Sequence, residues 1–384
     1  MASWIRATAL GVIAGGVLLA SPAAGAGERW SAAEAGSWYA RQPWIVGANY
    51  IPASAINQLE MWQAETFDPR RIDTELGWAE ATGMNTMRVF LHDLLWRQDP
   101  AGFKTRIDEF LKLAAKHHIR VLLVLFDSCW EPEPKPGPQR PPIPGVHNSG
   151  WVQSPGLSAL RDAAQEARLE AYVEGIVGAF ARDPRIIGWD VWNEPSNSKD
   201  QLERVHELLP KVFAWARSAN PVQPLTSGVF QEGTWDAGRP TPVEEVQLAE
   251  SDVISFHDYH WPEVFERRAA RLLALGRPLW CTEYLARGAG STFDQSLPAG
   301  KRLKIAMINW GLVDGKTQTR LPWDSWTIPY VNGREPAVWH HDVFHGDGTP
   351  YRQAEVDLIR VLTDRSAGHS SSRPSHASAQ PLQP

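Results

Sequence analysis

Apolar positions along this chain come in short blocks separated by longer stretches of helical periodicity. Residues 44–48 (Trp-Ile-Val-Gly-Ala) form the first block. Asp68-Pro69 then supplies a cap and a first-turn proline for a helix expected to run to Thr82, where Gly83 stops it. A second strand is predicted at 87–91, a helix at 104–117, and a third strand at 120–126, where Val and Leu follow one another almost without interruption. An uninterrupted run of this kind suits a strand buried on both faces. A long helix is predicted at 157–182. The run Ile186-Ile187-Gly188-Trp189-Asp190-Val191-Trp192-Asn193-Glu194 then reads as a fourth strand that ends at Pro195. Residues 201–218 are helical in pattern, 223–228 form a short fifth strand, 253–256 the sixth, 262–275 a helix, 279–282 the seventh strand and 305–310 the eighth.

Strand alternating with helix implies a parallel sheet with right-handed crossovers. Eight repeats imply closure, so the expected fold is an α/β (β/α)8 TIM barrel in one domain, residues 27–365. Such barrels carry their chemistry at the carboxyl ends of the strands. That is where the pattern puts Glu194, on strand four, and Glu283, at the end of Arg277-Pro278-Leu279-Trp280-Cys281-Thr282-Glu283 on strand seven. Two carboxyl groups facing one gap are the requirement for cleaving a glycosidic bond, one as a protonated acid and one as an ionised nucleophile or base. Asp190, four residues before Glu194, is expected to point inward with it and support it.

The flanks differ from this body. Arg6 followed by the uncharged stretch 7–20 and by Ala24-Gly25-Ala26 reads as an export signal, residues 1–26, cleaved after Ala26. Its apolar stretch is shorter than the roughly 20 residues that span a bilayer. Residues 366–384 are rich in Ser, Pro, His and Gln and read as a disordered tail. The formal charge of -6 gives no generic attraction to nucleic acid or to an anionic membrane. The expected protein is therefore exported, secreted or periplasmic, a monomer, with a carbohydrate substrate and with no nucleic-acid partner and no membrane partner once the signal is removed.

Tryptophan is in excess, 19 against 7 tyrosines, and its flat apolar face suits sugar rings. Trp62, Trp96, Trp130, Trp151, Trp235, Trp261, Trp323 and Trp326 fall in or beside predicted loops and are candidates for a cleft. The connection 128–155 is abnormally long and carries seven prolines between Pro132 and Pro144. Following a strand end, it is expected to wall part of the cleft, the alternative being a rigid surface excursion. Cys129 and Cys281 are expected to be free thiols, Cys281 as a small core residue on the same face as Glu283. His340-His341-Asp342-x-x-His345 contains candidate metal ligands, but its polar, glycine-containing surroundings favour a solvated loop, so no metal and no cofactor are implied. A glycine-rich phosphate loop, a G-x-S-x-G elbow and a paired C-x-x-C are all missing, which leaves phosphoryl transfer, serine esterase chemistry and zinc fingers without support.

The order and spacing of several short motifs resemble the glycoside hydrolases of clan A, most closely glycoside hydrolase family 5. The motifs are Gly83-x-Asn85-x-x-Arg88 on strand two, Asn193-Glu194-Pro195 on strand four, His257-x-Tyr259 after strand six, Glu283 on strand seven and Trp310 on strand eight. The resemblance implies Glu194 as acid/base and Glu283 as nucleophile. It further implies Asn193 on the sugar 2-hydroxyl, Arg88 and Tyr259 on the nucleophile, His257 orienting sugar or acid/base, and Trp310 under the sugar ring. The chain departs from the family after strand three, where many members place a histidine and this one has Asp127-Ser128-Cys129-Trp130; His92 is the candidate replacement, and Trp130 a candidate sugar contact. The implied activity is retaining hydrolysis of a β-linked mannan, glucan or xylan. A carbohydrate-binding barrel without catalysis, or a transglycosylase using the same glutamates, are the alternatives.

Overall fold

The computed structural model describes residues 27–364. The expected export signal, 1–26, and the expected tail, 366–384, lie outside the described residues. Eight strands make one sheet: β1 (Val46–Asn49), β2 (Thr86–Phe90), β3 (Arg120–Val124), β4 (Ile186–Asp190), β5 (Leu225–Thr226), β6 (Ile254–His257), β7 (Leu279–Glu283) and β8 (Ala306–Asn309). Their order is β5-β4-β3-β2-β1-β8-β7-β6, with parallel ladders throughout. The β5/β6 seam closes by a parallel bridge between Val229 and Phe256. There the Val229 N–H donates to the Ser255 carbonyl at 3.1 Å and the His257 N–H donates to the Val229 carbonyl at 3.0 Å. The expected (β/α)8 TIM barrel is the observed fold.

Local chemistry starts and stops the helices. Asp68 accepts from the Arg71 N–H at the head of Pro69–Thr82, and Gly83 ends that helix at φ 90°. Asp99 does the same for Pro100–Lys116, and Thr241 with Glu244 forms a capping box on Pro242–Glu250. The expected single helix 157–182 is instead two, Leu157–Arg161 and Glu166–Phe180, joined by a 3₁₀ turn. The Asp162 side chain accepts from the Ala164 N–H and so competes with the helical backbone at that point. The helices Pro242–Glu250, Phe293–Leu303 and Gln353–Leu362, on which the sequence pattern was silent, complete the outer layer. None of the described helices is long and apolar enough to cross a membrane.

The barrel interior has two levels. At the amino-terminal end Ile45, Leu122, Ile187, Val253, Trp280, Ala306 and Ile308 form an apolar plug, against which Trp38 and Tyr39 of the helix Ala32–Ala40 pack from below. At the carboxyl-terminal end the interior turns polar, with Asn49, Arg88, Asp190, His257 and Glu283 all buried. Gly47 permits the close approach of β1 and β2, since a Cβ there would sit 1.7 Å from the Thr86 carbonyl oxygen.

Three of the candidate cleft tryptophans belong to the packing instead. Trp62 is fully buried among Phe67, Phe103 and Phe110, and its Nε1 donates to the Phe90 carbonyl at 2.9 Å. Trp235 is buried against Phe256 with the Arg268 guanidinium over its ring. Trp96 lies against Gly175 of the helix Glu166–Phe180, with Lys104 over its face. A helix or short turn docked over each ring accounts for the difference, and local sequence does not announce such docking. Trp62→Ala is expected to lower unfolding free energy by about 3–5 kcal/mol, read by urea denaturation.

Candidate active site

Arg88 organises the carboxyl end of the barrel. Every second residue of β2 points inward, and Arg88 does so with no solvent exposure, its guanidinium 4.8 Å from the Phe90 ring centroid. Its Nε and one terminal nitrogen donate to Asp190 Oδ2 at 3.0 and 2.7 Å. The same terminal nitrogen donates to Asn193 Oδ1 at 2.7 Å, while the other donates to Asn49 Oδ1 and to Glu283 Oε1, both at 2.8 Å. One cation thus ties β1, β2, β4 and β7 together. Asn49 adds Nδ2 bonds to the Thr282 and Asn309 carbonyls at 2.8 and 3.1 Å, drawing in β8.

Glu283 and Glu194 meet over this base. Glu283 Oε2 accepts from the Tyr259 hydroxyl at 2.7 Å, so both its oxygens receive donors that favour the ionised form. Glu194 lies four residues beyond β4 in a left-handed backbone conformation, φ 45° and ψ 52°, before Pro195. Its Oε1 is 2.7 Å from His257 Nδ1, and its Oε2 accepts from Asn197 Nδ2 at 2.5 Å and from the Cys129 thiol at 3.3 Å. One ligand atom each of Glu194, His257 and Glu283 lies within 4.8 Å of the others. Two carboxyl groups converge across a narrow gap, with side-chain exposures of 14% and 6%.

Burial raises both carboxyls above the usual glutamate range. Glu194 is pulled back mainly by the Cys129 thiol and then by the more distant Arg88, and Glu283 gains a further upward push from the charge of Glu194. Burial also pushes His257 down to about 4, so the imidazole is neutral near pH 7 and the charge of Glu283 is left to Arg88 and Tyr259 to hold. A neutral imidazole protonated at Nε2 accepts the Glu194 proton at Nδ1, whereas protonated at Nδ1 it donates to the Glu194 carboxylate. Both states occur in an acid/base cycle.

The segment after β3 supplies the other wall. Asp127 accepts from Asn193 Nδ2 at 2.9 Å and from Trp151 Nε1 at 2.5 Å, and burial pushes its carboxyl up to about 6. Asn193 Nδ2 also reaches the Cys129 sulphur at 3.5 Å. Cys129 and Cys281 are both free thiols. Cys281 belongs to the apolar cluster and does not follow Glu283 into the polar site, because the β6/β7 register slips between Phe256 and His257 and leaves Thr282 as an extra residue.

The structure thus brings Arg88, Asn193, Glu194, His257, Tyr259 and Glu283 into one network. Trp310 stands beside it, half-buried, edge-on to Phe90 and Trp151 at 5.8 Å each. His92 makes its contacts elsewhere: it is fully buried, accepts from the Leu94 N–H at 3.2 Å and caps the helix Asp93–Gln98. In its place beside Glu194 stands the Cys129 thiol. Trp130 is 38% exposed and stacks on Trp326 at 4.9 Å. The expected solvated loop at 340–345 is corrected for its first half, since His340, His341 and Asp342 are buried. His341 Nδ1 meets the Leu285 carbonyl and Asp342 accepts from the Thr319 hydroxyl at 2.8 Å, so docking against the β7 loop and the 317–319 turn removes them from water. Sequence reasoning missed Asn49, Asp127, Asn197 and Phe230, whose ring lies 6.3 Å from His257. A polar residue closing an apolar strand run was the available signal for Asn49 and Asp127.

Comparison with known proteins agrees with the fold. No family model matches the chain. It is 20% identical over 191 residues to mannan endo-1,4-beta-mannosidase A of Emericella nidulans, covering 47% of this chain and 48% of that protein, so the chain spans about half the length of the curated relative it matches. An exo-β-1,4-mannosidase from Opitutaceae bacterium strain TAV5 superposes with a TM-score of 0.57 at 20% identity over 84% of this chain and 60% of its own. A family 5, subfamily 18 protein from Streptomyces cattleya in complex with Manβ1-4GlcNAc gives 0.57 at 12% identity over 86% and 83%. The endo-β-1,4-mannanase from Thermotoga petrophila gives 0.53 at 15% identity over 88% and 80%. The chain resembles glycoside hydrolase family 5 and shares the (β/α)8 barrel of these proteins.

Proposed function

We propose that the protein is a retaining β-glycoside hydrolase of β-mannan type. The observation that carries this reading is the convergence of Glu194, His257 and Glu283 within 4.8 Å, with Arg88 and Tyr259 on one carboxylate only. Retaining enzymes hold their carboxyl groups about 5–5.5 Å apart, whereas inverting ones leave about 6.5–9.5 Å for a water. The mannosidases and mannanases among the similar proteins favour mannan over the glucan and xylan alternatives. An exported location, resting on residues 1–26, belongs to the same proposal.

The chemistry follows from the placement of charge. Glu194 enters protonated and gives its proton to the glycosidic oxygen. As that C–O bond breaks, Glu283 attacks the anomeric carbon, and the leaving sugar departs as an alcohol. A water then takes the vacated place, loses a proton to Glu194 and attacks the same carbon. The ester to Glu283 opens and both carboxyls return to their starting states. Neutral His257 follows the Glu194 proton in and out. The substrate 2-hydroxyl takes over the Asn193 Nδ2 hydrogen that otherwise reaches only the Cys129 sulphur at 3.5 Å.

Glu283→Ala is expected to abolish turnover of every substrate. Glu194→Ala should lose about 10²–10⁴-fold on oligosaccharides while retaining activity on a dinitrophenyl glycoside, whose leaving group needs no proton. Proton NMR of the first product should show the β anomer, and equal losses on both substrate types would overturn the assignment. A second expectation concerns pH. The Tyr259 hydroxyl favours ionised Glu283, so Tyr259→Phe raises that carboxyl further. The acid limb of the kcat/KM profile should then move to higher pH while the alkaline limb, set by Glu194, stays in place.

A further inference from the structure

The rim of the site is unequal around the barrel. Glu194 follows β4, and in a ring of eight strands the opposite strand is β8. The segment between β8 and the helix Gln353–Leu362 stands on that opposite side, and the long loop after β3 crosses the rim to join it. Trp130 stacks face to face on Trp326, ring centroids 4.9 Å apart and planes 11° from parallel. Hydrogen bonds stitch the two together: Asn148 N–H to the Thr317 carbonyl at 2.7 Å, Tyr330 N–H to the Gly145 carbonyl at 2.8 Å, and His147 N–H to the Ser325 side-chain Oγ at 2.9 Å. The β1 loop braces the crossing, with Asn57 Nδ2 donating to the Gly150 carbonyl at 2.8 Å. At its far end the wall reaches the nucleophile, where Trp323 packs edge-on to Tyr259 at 5.2 Å.

Under the proposed chemistry, the sugar that Glu283 attacks lies against Trp310. Its anomeric carbon faces Glu194, and in a 1,4-linked chain its O4 lies across the ring, pointing away from β4. A further sugar on that oxygen would run toward β8. The neighbour of Trp310 there is Trp151, which is 2% exposed and locked by its indole bond to Asp127. On the β4 and β5 side, by contrast, the residues beyond Glu194 are the half-exposed Asn197 and Phe230.

We propose that the site is a blind pocket holding one terminal, non-reducing sugar, so that the protein trims chains from their ends. The wall formed by the loops after β1, β3 and β8 excludes a second sugar on that side, and the remainder of the chain leaves past Glu194. This inference rests on the hydrolase reading and adds the manner of attack.

The test uses the full-length protein with manno-, gluco- and xylopentaoses labelled at the reducing end, together with an aryl β-glycoside of each sugar. Labelled products that shorten one unit at a time, with a single monosaccharide released from the start and unchanged viscosity of a β-mannan solution, are the expected result. Labelled disaccharide and trisaccharide present from the first time point, or an early fall in viscosity, overturn the blind pocket while leaving the hydrolase intact. Cleavage of neither the aryl glycosides nor the pentaoses overturns the hydrolase reading itself. Trp326, 44% exposed, can be changed without touching the core; Trp326→Ala should release disaccharide alongside monosaccharide at a level at least tenfold above the parent. A product pattern identical to the parent overturns the wall as its cause.

Discussion

The buried guanidinium of Arg88 is the constraint on which the rest of this site depends. A cation with no solvent exposure requires anions and acceptors that are equally fixed, and here they come from β1, β4 and β7. Asp190 takes two of its bonds in the buried polar level of the barrel, and among the described residues no other cation is bonded to it. The Arg88–Asp190 pair is therefore close to neutral, and what remains of the guanidinium is directed at Glu283 and Asn193. Arginine suits this task better than lysine because its planar fork reaches several acceptors in set directions. Breaking such an arrangement exposes charges that the interior cannot solvate, which couples the shape of the barrel to the ionisation of Glu283.

The two glutamates differ in company more than in burial. Both are pushed toward protonation by loss of water, yet Glu283 has a cation and a phenol against it, while Glu194 has a neutral imidazole, an amide and a thiol. That difference in company is what supports the proposal that a proton shared by the pair rests on Glu194. The thiol is this chain's departure from the histidine that the family pattern places after strand three. A thiol is a weak donor with a high pKa here, raised well above its ordinary value by burial and by the surrounding carboxylates, so it adds a polar contact without adding charge.

Much of this was legible in the sequence, for a physical reason. Parallel strands covered on both faces must be apolar almost throughout, so Arg120–Val124 and Ile186–Asp190 were visible as runs, and a charged residue within or just after such a run marks the point where the interior becomes polar. Arg88, Glu194 and Glu283 are of that kind. What was not legible is docking between distant segments. Nothing near His340 or Asp342 says that the β7 loop will cover them, and nothing near Trp62 says that Phe103 and Phe110 will enclose it. The helix break at Asp162 was hidden because a single side-chain bond to the Ala164 N–H decides the matter.

Glu194 sits with φ at 45° directly ahead of a proline, a backbone shape that side chains other than glycine and asparagine occupy at a cost of roughly 1–3 kcal/mol. The turn aims the carboxyl at His257 and Asn197, so strain and the proposed reactivity are held in one residue. Selection for heat tolerance alone would favour asparagine or glycine at this position, and the hardier molecule it produced would lack the carboxyl proposed here as the proton donor.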